Sequence, residues 1–330
     1  LILNHEVSIE FAISSKHMIE AVELFNPELI ICPFLKQKVP ETIWKNNKCI
    51  IIHPGIIGDR GPSSLDWAIN EQKDEWGVTA LQANQEMDAG DIWSNFNFSM
   101  RDTFKASIYR KEVTSAAIKT LHEILKNIQN SEFKPEVLNY ENKHVQGSLK
   151  PLMTQENRKI NWKIDTSEVI IKKINAADSH PGLLDVIFDE EYYLYGAHKE
   201  SSLKGTAGEI IGRRHGAICK ATINGAVWIS HLRKKEKNSF KLPSAVLLKD
   251  KLKGVYEQRI PLLLEEEIDT FKEIYYQQIN EVGYLYFDFH NGAMSIEQCV
   301  RLKYAYELAC QKDIQVLVLM GGSEFFSNGI

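Results

Sequence analysis

The chain has 330 residues, of which 44% are hydrophobic and 25% are charged, and its formal net charge at pH 7 is −5. This composition is typical of folded proteins of two or three domains, and the negative charge argues against nucleic acid as the main partner. No apolar run approaches the ~18 residues of a membrane span and no signal peptide is visible, so we expect a cytoplasmic protein without a membrane partner.

The cysteines and most histidines give no sign of a metal site. The five cysteines are scattered without a CxxC pair, which favours reduced thiols over disulfides or zinc ligands: Cys32, Cys49, Cys219, Cys299 and Cys310. A further set of histidines lacks metal-ligand spacing and is interpreted as surface or packing residues: His122, His144, His180, His198, His215 and His231.

The first third of the chain alternates between strand and helix patterns. Apolar residues recur at helical spacing from Met18 to Phe25, and a long helix is predicted at 107–128. Strands are predicted at 7–13, 29–32, 49–52, 77–82 and 92–98. Runs that are apolar on both faces are typical of interior strands of a parallel sheet. We therefore expect an α/β, Rossmann-like domain over residues 1–135.

Two further regions follow in the chain. Residues 131–152 have little periodicity and are predicted to be a linker, and the charge-rich segment 233–272 is interpreted as a second, solvated linker. Between the two linkers, short β-type runs alternate with glycine turns, which predicts a small barrel over residues 150–250.

A third domain is predicted from residue 270 to residue 330. A strand at 282–289 leads to a helix that Ser295 can cap, with Gln298 at the third helical position. The predicted buried stripe of this helix consists of Ile296, Val300, Tyr304 and Leu308. Because the chain opens without Met and stops at Ile330 inside a predicted loop, we expect it to be a piece of a longer protein.

A candidate site lies where the strand at 49–52 ends in His53. The turn that follows contains Gly55, Gly58 and Gly61, which permit close approach of backbone to a ligand. Asp88 lies in a loop after another strand, and ligands of open α/β sheets bind beyond strand ends. A histidine held by an aspartate is suited to proton transfer at a reacting carbon.

The motif around His53 resembles the formyltransferases that use 10-formyltetrahydrofolate. It reads His-Pro-Gly-x-x-Gly-Asp-Arg-Gly-Pro, then Trp67-Ala68-Ile69, Gly77-Val78-Thr79 and Met87-Asp88-Ala89-Gly90-Asp91. The segment from Arg158 to Ile229 resembles the C-terminal barrel of that family.

This resemblance implies catalytic roles for His53 and Asp88 and a folate substrate. It places the pterin-binding loop at Gln82, Ala83, Asn84, Gln85, Glu86 and Met87, with further folate contacts from Gly55, Gly58, Arg60, Ser63 and Asp91. One position departs from the family, because Ile51 stands where the family has the Asn that donates to the oxyanion. Loss of such a donor costs about 3 kcal/mol of barrier, so another donor such as Arg60 or a better nucleophile is required.

The end of the chain resembles the crotonase (enoyl-CoA hydratase) superfamily. Its pattern is Asn291-Gly292-Ala293-Met294, a helix, an apolar strand and Phe326-Ser327-Asn328-Gly329-Ile330. The resemblance implies that Asn291, Ala293 and Met294 bind coenzyme A and that Ile330 supplies one oxyanion-hole N–H. His290, beside this turn, is a weaker candidate for a binding role.

The order of these parts resembles the HypX (HoxX) family of hydrogenase maturation proteins. That resemblance implies formyl transfer from 10-formyltetrahydrofolate to coenzyme A, then decarbonylation of formyl-CoA to the CO ligand of [NiFe]-hydrogenase. Other maturation proteins are then expected partners. Two alternatives stay open: a formyltransferase acting on an amine of methionyl-tRNA or a sugar nucleotide, and a non-catalytic folate- and CoA-binding maturation chaperone.

Overall fold

The computed structural model describes residues 5–264 and 268–329. The chain forms two compact units, residues 1–157 and residues 158–330. Ile330, the predicted oxyanion donor, lies outside the described residues. None of the described helices has the length and apolar character needed to span a membrane.

The first unit consists of a four-stranded sheet and its helices. Its strands are β1 (Ile30–Pro33), β2 (Cys49–His53), β3 (Glu75–Gln82) and β4 (Ile92–Ser99). Its helices are α1 (Ser15–Phe25), α2 (Glu41–Trp44), α3 (Ser64–Asn70), α4 (Lys105–Ile108) and α5 (Thr114–Gln129), with a π-helical turn, Tyr109–Val113, between the last two. A short helix, α6 (Gln155–Arg158), lies at the boundary of the two units.

The strands of this sheet follow the order β1-β2-β3-β4. β1 and β2 are parallel, whereas β3 is antiparallel to both β2 and β4. The expectation of a parallel sheet is therefore corrected to a mixed one. Of the two runs whose apolar pattern favours an interior strand, the one at 49–52 is confirmed, since β2 lies inside the sheet and every residue of Cys49–His53 is at least half-buried. The run at 29–32 is not, because β1 stands at the end of the strand order. β2 ends at His53, and the glycine-containing turn follows directly.

The predicted strand at residues 7–13 is wrong. The segment has no regular secondary structure, and its alternating apolar side chains are exposed: Val7, Ile9, Phe11 and Ile13. Alternation makes a segment competent for a strand, but a strand also needs a neighbouring backbone to pair with. Within the described residues this segment pairs with no strand.

The predicted linker at 131–152 contains a segment that we name the strap, residues 140–150. The strap lies along the turn that follows β2. Gly147 N donates to Ile57 O (2.9 Å), Lys150 N donates to Arg60 O (2.9 Å), and Arg60 N donates to the carbonyl of residue 148 (3.3 Å). The Tyr140 hydroxyl also donates to Gly58 O (3.1 Å). The strap is therefore part of the structure that shapes this turn.

The second unit contains two sheets. The strands of the larger one are β5 (Leu183–Ile187), β6 (Glu190–Glu200), β7 (Ile210–Arg214), β8 (Ala217–Ala221), β9 (Ala226–Lys234) and β10 (Leu242–Pro243). Strands β11 (Ile274–Ile279), β12 (Val282–Phe287) and β13 (Val316–Met320) form the smaller one. The helices are α7 (Ser167–Ala176), α8 (Ser244–Leu248) and α9 (Ile296–Ala309), with 3-10 turns at Lys249–Leu252 and His290–Gly292.

The larger sheet is antiparallel throughout, with the order β5-β6-β9-β8-β7 and with β10 paired to β9. Helix α7 begins where Thr166 accepts a hydrogen bond from Val169 N, and it packs against β6 and β9. The buried side chains between them include Ile170, Ile174, Leu194 and Ile229. The strand runs predicted for this region are confirmed, while closure into a barrel stays a prediction.

Segment 233–272 is more ordered than the predicted linker. It contains β10 and α8, and Leu248, Leu252, Leu264 and Phe271 are buried. Phe271 packs against Trp228 of β9, and Arg214 of β7 donates to the Phe271 carbonyl (2.8 Å). The linker prediction was wrong because it relied on the many charged residues, whereas buried leucines lie among them in the same segment.

The smaller sheet pairs β11 with β12 antiparallel and β12 with β13 parallel, and α9 packs against β11 and β12. The predicted capping box of α9 is confirmed between Ser295 and Gln298. The predicted buried stripe is wrong, because its side chains are 41–75% exposed: Ile296, Val300, Tyr304 and Leu308. The buried residues of α9 are Ala305 and Ala309, whose small side chains permit close contact with the sheet.

Candidate active site

His53 ends β2 and is almost completely buried, with 5% of its surface exposed. The chain then turns sharply, since Asp59 N donates to Ile56 O (2.9 Å) and both Gly58 and Gly61 have positive φ angles of 88° and 115°. A Cβ on Gly61 would lie 2.2 Å from the Lys150 carbonyl oxygen of the strap. The glycine turn is thus fixed against protein backbone.

The structure brings His53 and Asp88 together, as the sequence predicts. Asp88 Oδ2 lies 3.5 Å from His53 Nδ1, and both side chains are close to fully buried. Asp88 adopts a left-handed conformation with φ 54°, and its Oδ2 accepts a long hydrogen bond from Gly61 N (3.4 Å). Their catalytic roles stay a prediction, but the required proximity is present.

A second carboxylate, which sequence reasoning missed, is closer to the imidazole. Asp59 Oδ2 lies 2.7 Å from His53 Nε2, and Asp59 is 2% exposed. His53 is therefore flanked by Asp59 at one ring nitrogen and by Asp88 at the other. Asp59 was visible in the motif, six residues after the histidine on a turn short enough to fold back.

The predicted pterin loop runs from Gln82 to Met87 and is anchored to the sheet at its start. Ala83 N donates to Cys49 O (2.8 Å), and Gln82 N donates to Asp91 O (2.8 Å). Arg60 joins the loop to the glycine turn: its Nε donates to Met87 O (3.0 Å) and it forms an ion pair with Glu86 (3.1 Å). The contact therefore places Arg60, a predicted folate-binding residue, against Glu86 and Met87 of the predicted pterin loop.

A cleft opens between this loop and the segment after β1. Its lining includes most of the predicted loop together with Ile51 and Asp88, and also residues that sequence reasoning missed: Leu35, Gln37, Lys38 and Val39. No sequence signal identified these four, because their segment lacks periodicity and reaches the cleft only through the pairing of β1 with β2.

The other predicted folate contacts mostly face protein. The space beside Gly58 is taken by Val145 of the strap, and the Ser63 hydroxyl accepts from Met153 N (3.1 Å). A Cβ on Gly55 would lie within 2.5 Å of both the Asp59 carboxylate and the His53 ring. Gln85, inside the loop, and Asp91, after it, are exposed. The folate role of these residues stays a prediction, and Gly55 has a clear second reason for being glycine.

A buried ion pair lies on the helices of this unit. Lys105 Nζ contacts both carboxylate oxygens of Asp66 at 3.0 Å. The neighbouring Tyr109 opens the π-helical turn; burial, with the charges of Asp66 and Asp59, raises the pKa of its hydroxyl to about 12. The hydroxyl is therefore neutral at physiological pH.

The predicted CoA-binding turn pairs with the predicted oxyanion segment. Asn291 is left-handed with φ 57°, its carbonyl accepts from Asn328 Nδ2 (2.6 Å), and Met294 N donates to Gly329 O (3.1 Å). Ala293 and Gly329 form a β-bridge. The two predicted parts of this site therefore meet, up to the point where Ile330 leaves the described residues.

Next to this turn, His290 stacks on His231 of β9 with ring centroids 4.0 Å apart. Burial, aided by the nearby charges of His290 and Lys241, lowers the pKa of His231 to about 3. Burial, with Lys241, lowers the pKa of His290 to about 4. Among the described residues, the buried Nε2 of His290 has no hydrogen-bond partner, which agrees with a neutral ring.

This pair makes stability depend on pH. The lowered pKa values keep both rings neutral in the folded protein, while the unfolded chain takes up protons below about 6.5. Stability is therefore full above that pH and falls as pH decreases toward 4. Between pH 7 and pH 5 we expect a loss of about 1 kcal/mol for each histidine after allowance for solvent.

The loss can be measured by denaturant unfolding at both pH values. His231→Phe keeps an aromatic ring against His290 and should reduce the pH dependence, to which His198 and His215 also contribute because burial lowers their pKa values to about 4. His122→Phe, at an exposed position of α5, is the control and should leave it unchanged. An equal slope in wild type and His231→Phe would contradict the assignment.

Comparisons with known proteins agree with this architecture. The formyl transferase family matches residues 9–125, and the formyl transferase C-terminal domain matches residues 152–246. Hydrogenase maturation factor HoxX from Bradyrhizobium diazoefficiens is 39% identical over 326 residues, which are 99% of this chain and 56% of HoxX. Methionyl-tRNA formyltransferase from Thermotoga neapolitana is 26% identical over 74% of this chain and 80% of that protein.

A solved structure matches the whole chain. HypX from Aquifex aeolicus, in complex with tetrahydrofolic acid, has a TM-score of 0.92 and 42% sequence identity, covering 100% of this chain and 57% of HypX. The chain thus spans little more than half the length of HoxX and HypX. The chain contains formyl transferase domains and is, over its whole length, a homologue of the hydrogenase maturation factor HoxX and of HypX.

Proposed function

We propose that this chain transfers the formyl group of 10-formyltetrahydrofolate to the thiol of coenzyme A, as part of a protein that then releases CO from formyl-CoA. The CO becomes a ligand of the iron in [NiFe]-hydrogenase. The observation that supports this most is that Asp88, which lies 3.5 Å from His53, lines a cleft together with the predicted pterin loop.

The cleft suits a pteridine, which is a flat ring with polar edges. Leu35, Val39 and Ile51 supply apolar surface, while Asn84 and the loop backbone supply polar groups. Lys38 lies at the same cleft and suits a carboxylate such as that of a folate glutamate tail. The tetrahydrofolic acid bound by HypX, a structural match to the whole chain, supports a folate ligand for this chain.

In the proposed first step, His53 accepts the thiol proton of coenzyme A and the sulfur forms a bond to the formyl carbon. The bond between that carbon and folate N10 then breaks, and N10 receives the proton. A thiolate is a stronger nucleophile than an amine, which partly offsets the lack of an amide donor at Ile51. In the second step formyl-CoA yields CO and free coenzyme A, with the formyl hydrogen returning to sulfur.

The second step is assigned to the region that begins at Asn291. The pairing of the 291–294 turn with residues 328–329 is compatible with the start of a crotonase-like oxyanion hole. Coenzyme A binding by Asn291, Ala293 and Met294, an oxyanion donor at Ile330, a cytoplasmic location and contact with other hydrogenase maturation proteins are parts of this same proposal. The three domains 1–135, 150–250 and 270–330 belong to it as well.

The test is to incubate the full-length protein with 10-formyltetrahydrofolate and coenzyme A, and to follow tetrahydrofolate by absorbance and CO by its complex with haemoglobin. Release of both, dependent on coenzyme A, supports the proposal. Transfer to methionyl-tRNA or an amino sugar would replace it with an amine formyltransferase. Binding of both small molecules without turnover would indicate a maturation chaperone.

Gly90 offers a test of the predicted pterin loop that does not depend on the acceptor. A Cβ at this position would lie 1.7 Å from the Gln82 carbonyl oxygen, so Gly90→Ala must displace the loop backbone. We expect tetrahydrofolate affinity to fall about tenfold and stability to fall by about 1–3 kcal/mol. Calorimetric titration measures the first, and Ala89→Ser at the neighbouring position is the matched control. Unchanged affinity in a folded Gly90→Ala variant would place the folate elsewhere.

A further inference from the structure

Asp59 contacts one ring nitrogen of His53, and Asp88 lies beside the other. The cleft is lined by Asp88 but not by Asp59, and Asp59 is 2% exposed. An ionised carboxylate can only accept a hydrogen bond, so with Asp59 ionised the 2.7 Å contact assigns the donor role to His53 Nε2. This contact occupies Nε2 and leaves Nδ1 as the nitrogen that faces Asp88.

The surrounding backbone holds Asp59 in place. The turn bond from Asp59 N to Ile56 O fixes its main chain, and Gly147 of the strap packs directly against that nitrogen. A Cβ on Gly55 would collide with both the Asp59 carboxylate and the His53 ring, so glycine keeps the space that their hydrogen bond needs. The Gly55 carbonyl accepts a hydrogen bond from the Thr79 hydroxyl (2.8 Å). Such rigid support is expected for a group that orients a reacting side chain.

The contact to Asp88 has a different character. At 3.5 Å the distance between Nδ1 and Asp88 Oδ2 exceeds that of a normal hydrogen bond. Asp88 also lines the cleft, whereas Asp59 and His53 do not. The two carboxylates are therefore not equivalent partners of the imidazole.

We propose that Asp59 is the positioning residue of this site: it holds the Nε2–H tautomer of His53, so that Nδ1 is the nitrogen that accepts and returns the proton. This rests on the proposed function for the reaction, but not for the tautomer. It also assigns Asp88 to the reacting side, where its charge can stabilise the protonated ring that forms when the thiol is deprotonated. As in catalytic triads, a buried carboxylate orients the general base by accepting a hydrogen bond from the ring nitrogen that does not transfer the proton.

The kinetic test compares Asp59→Asn with wild type in the full-length protein. We expect kcat for tetrahydrofolate release to fall at least about 10²-fold, since the variant loses the charge and the fixed tautomer. The affinity for tetrahydrofolate should stay within about threefold, because Asp59 does not line the cleft. Asp74→Asn, which changes an exposed aspartate, is the matched control. An unchanged kcat in Asp59→Asn, or a loss confined to folate affinity, overturns the proposal.

A second measurement decides the question even where Asp59→Asn does not fold or wild type shows no turnover. Long-range ¹H–¹⁵N spectra of histidine-labelled wild type, with His53 assigned by comparison with His53→Gln, report which ring nitrogen is protonated. At a pH where the ring is neutral, a proton on Nε2 supports the proposal and a proton on Nδ1 overturns it. Absence of turnover in wild type together with the Nε2–H tautomer would instead count against the proposed function alone.

Discussion

Replacing His53 with alanine is expected to stop formyl transfer almost completely. The imidazole contacts both Asp59 and Asp88 at the end of β2 and is the group proposed to accept and return the proton. General acid–base catalysis by such a group contributes about 10²–10⁴-fold, so the rate of tetrahydrofolate release should fall by a factor in that range. Asp88→Ala should reduce the rate as well, because the charge facing Nδ1 is lost.

The controls separate chemistry from folding and binding. His122→Ala removes an exposed histidine from α5 and should leave the rate unchanged. Tetrahydrofolate should still bind to His53→Ala, since the His53 side chain does not line the cleft. Turnover that survives both His53→Ala and Asp88→Ala would remove this site from the reaction.

Gly147→Ala should have the largest effect of any change outside the immediate site. A Cβ at residue 147 would lie 1.9 Å from the Asp59 nitrogen and 2.3 Å from the Gly58 carbonyl carbon, both backbone atoms. The strap must then move away from the turn, with loss of the bond from Gly147 N to Ile57 O. We expect a loss of about 1–3 kcal/mol in stability and a fall of about 10² in kcat, because small displacements of reacting groups are costly.

Amide hydrogen exchange of the turn gives a direct measurement of this effect. Exchange should accelerate at residues 57–61 in Gly147→Ala and stay as in wild type in Ser148→Ala, which changes only an exposed side chain of the strap. A variant with normal exchange and full activity would show that the strap does not support the site.

The parts of the fold that the sequence predicts well depend on local patterns. The buried strand that ends at His53 follows from its apolar run, and the capping box at Ser295 follows from two side chains three residues apart. The exposed stripe of α9 shows the limit of this approach. Periodicity identifies the apolar face of a helix, but not whether another element covers it, and here the sheet packs on the alanine side.

The site was predictable only in outline, for a related reason. His53 and Asp88 were found because each follows a strand and the family motif contains both. Asp59 and the strap act through backbone geometry: a turn that folds back on itself and a glycine that permits contact between two main chains. Such contacts involve residues such as Gly147 and Ile57, which are distant in sequence and ordinary in type, so no periodic pattern reveals them.

The strap also determines which fragments of the protein can retain an intact site. A fragment ending near residue 135 would retain all of β1–β4, His53 and Asp88, yet it would lack the segment that braces the turn between Ile57 and Arg60. If that fragment were inactive, the cause would be a displaced turn and not the absence of catalytic residues. A first half expressed on its own must therefore extend past Lys150, and a protease that nicks residues 140–150 should inactivate the site without touching any group that meets substrate.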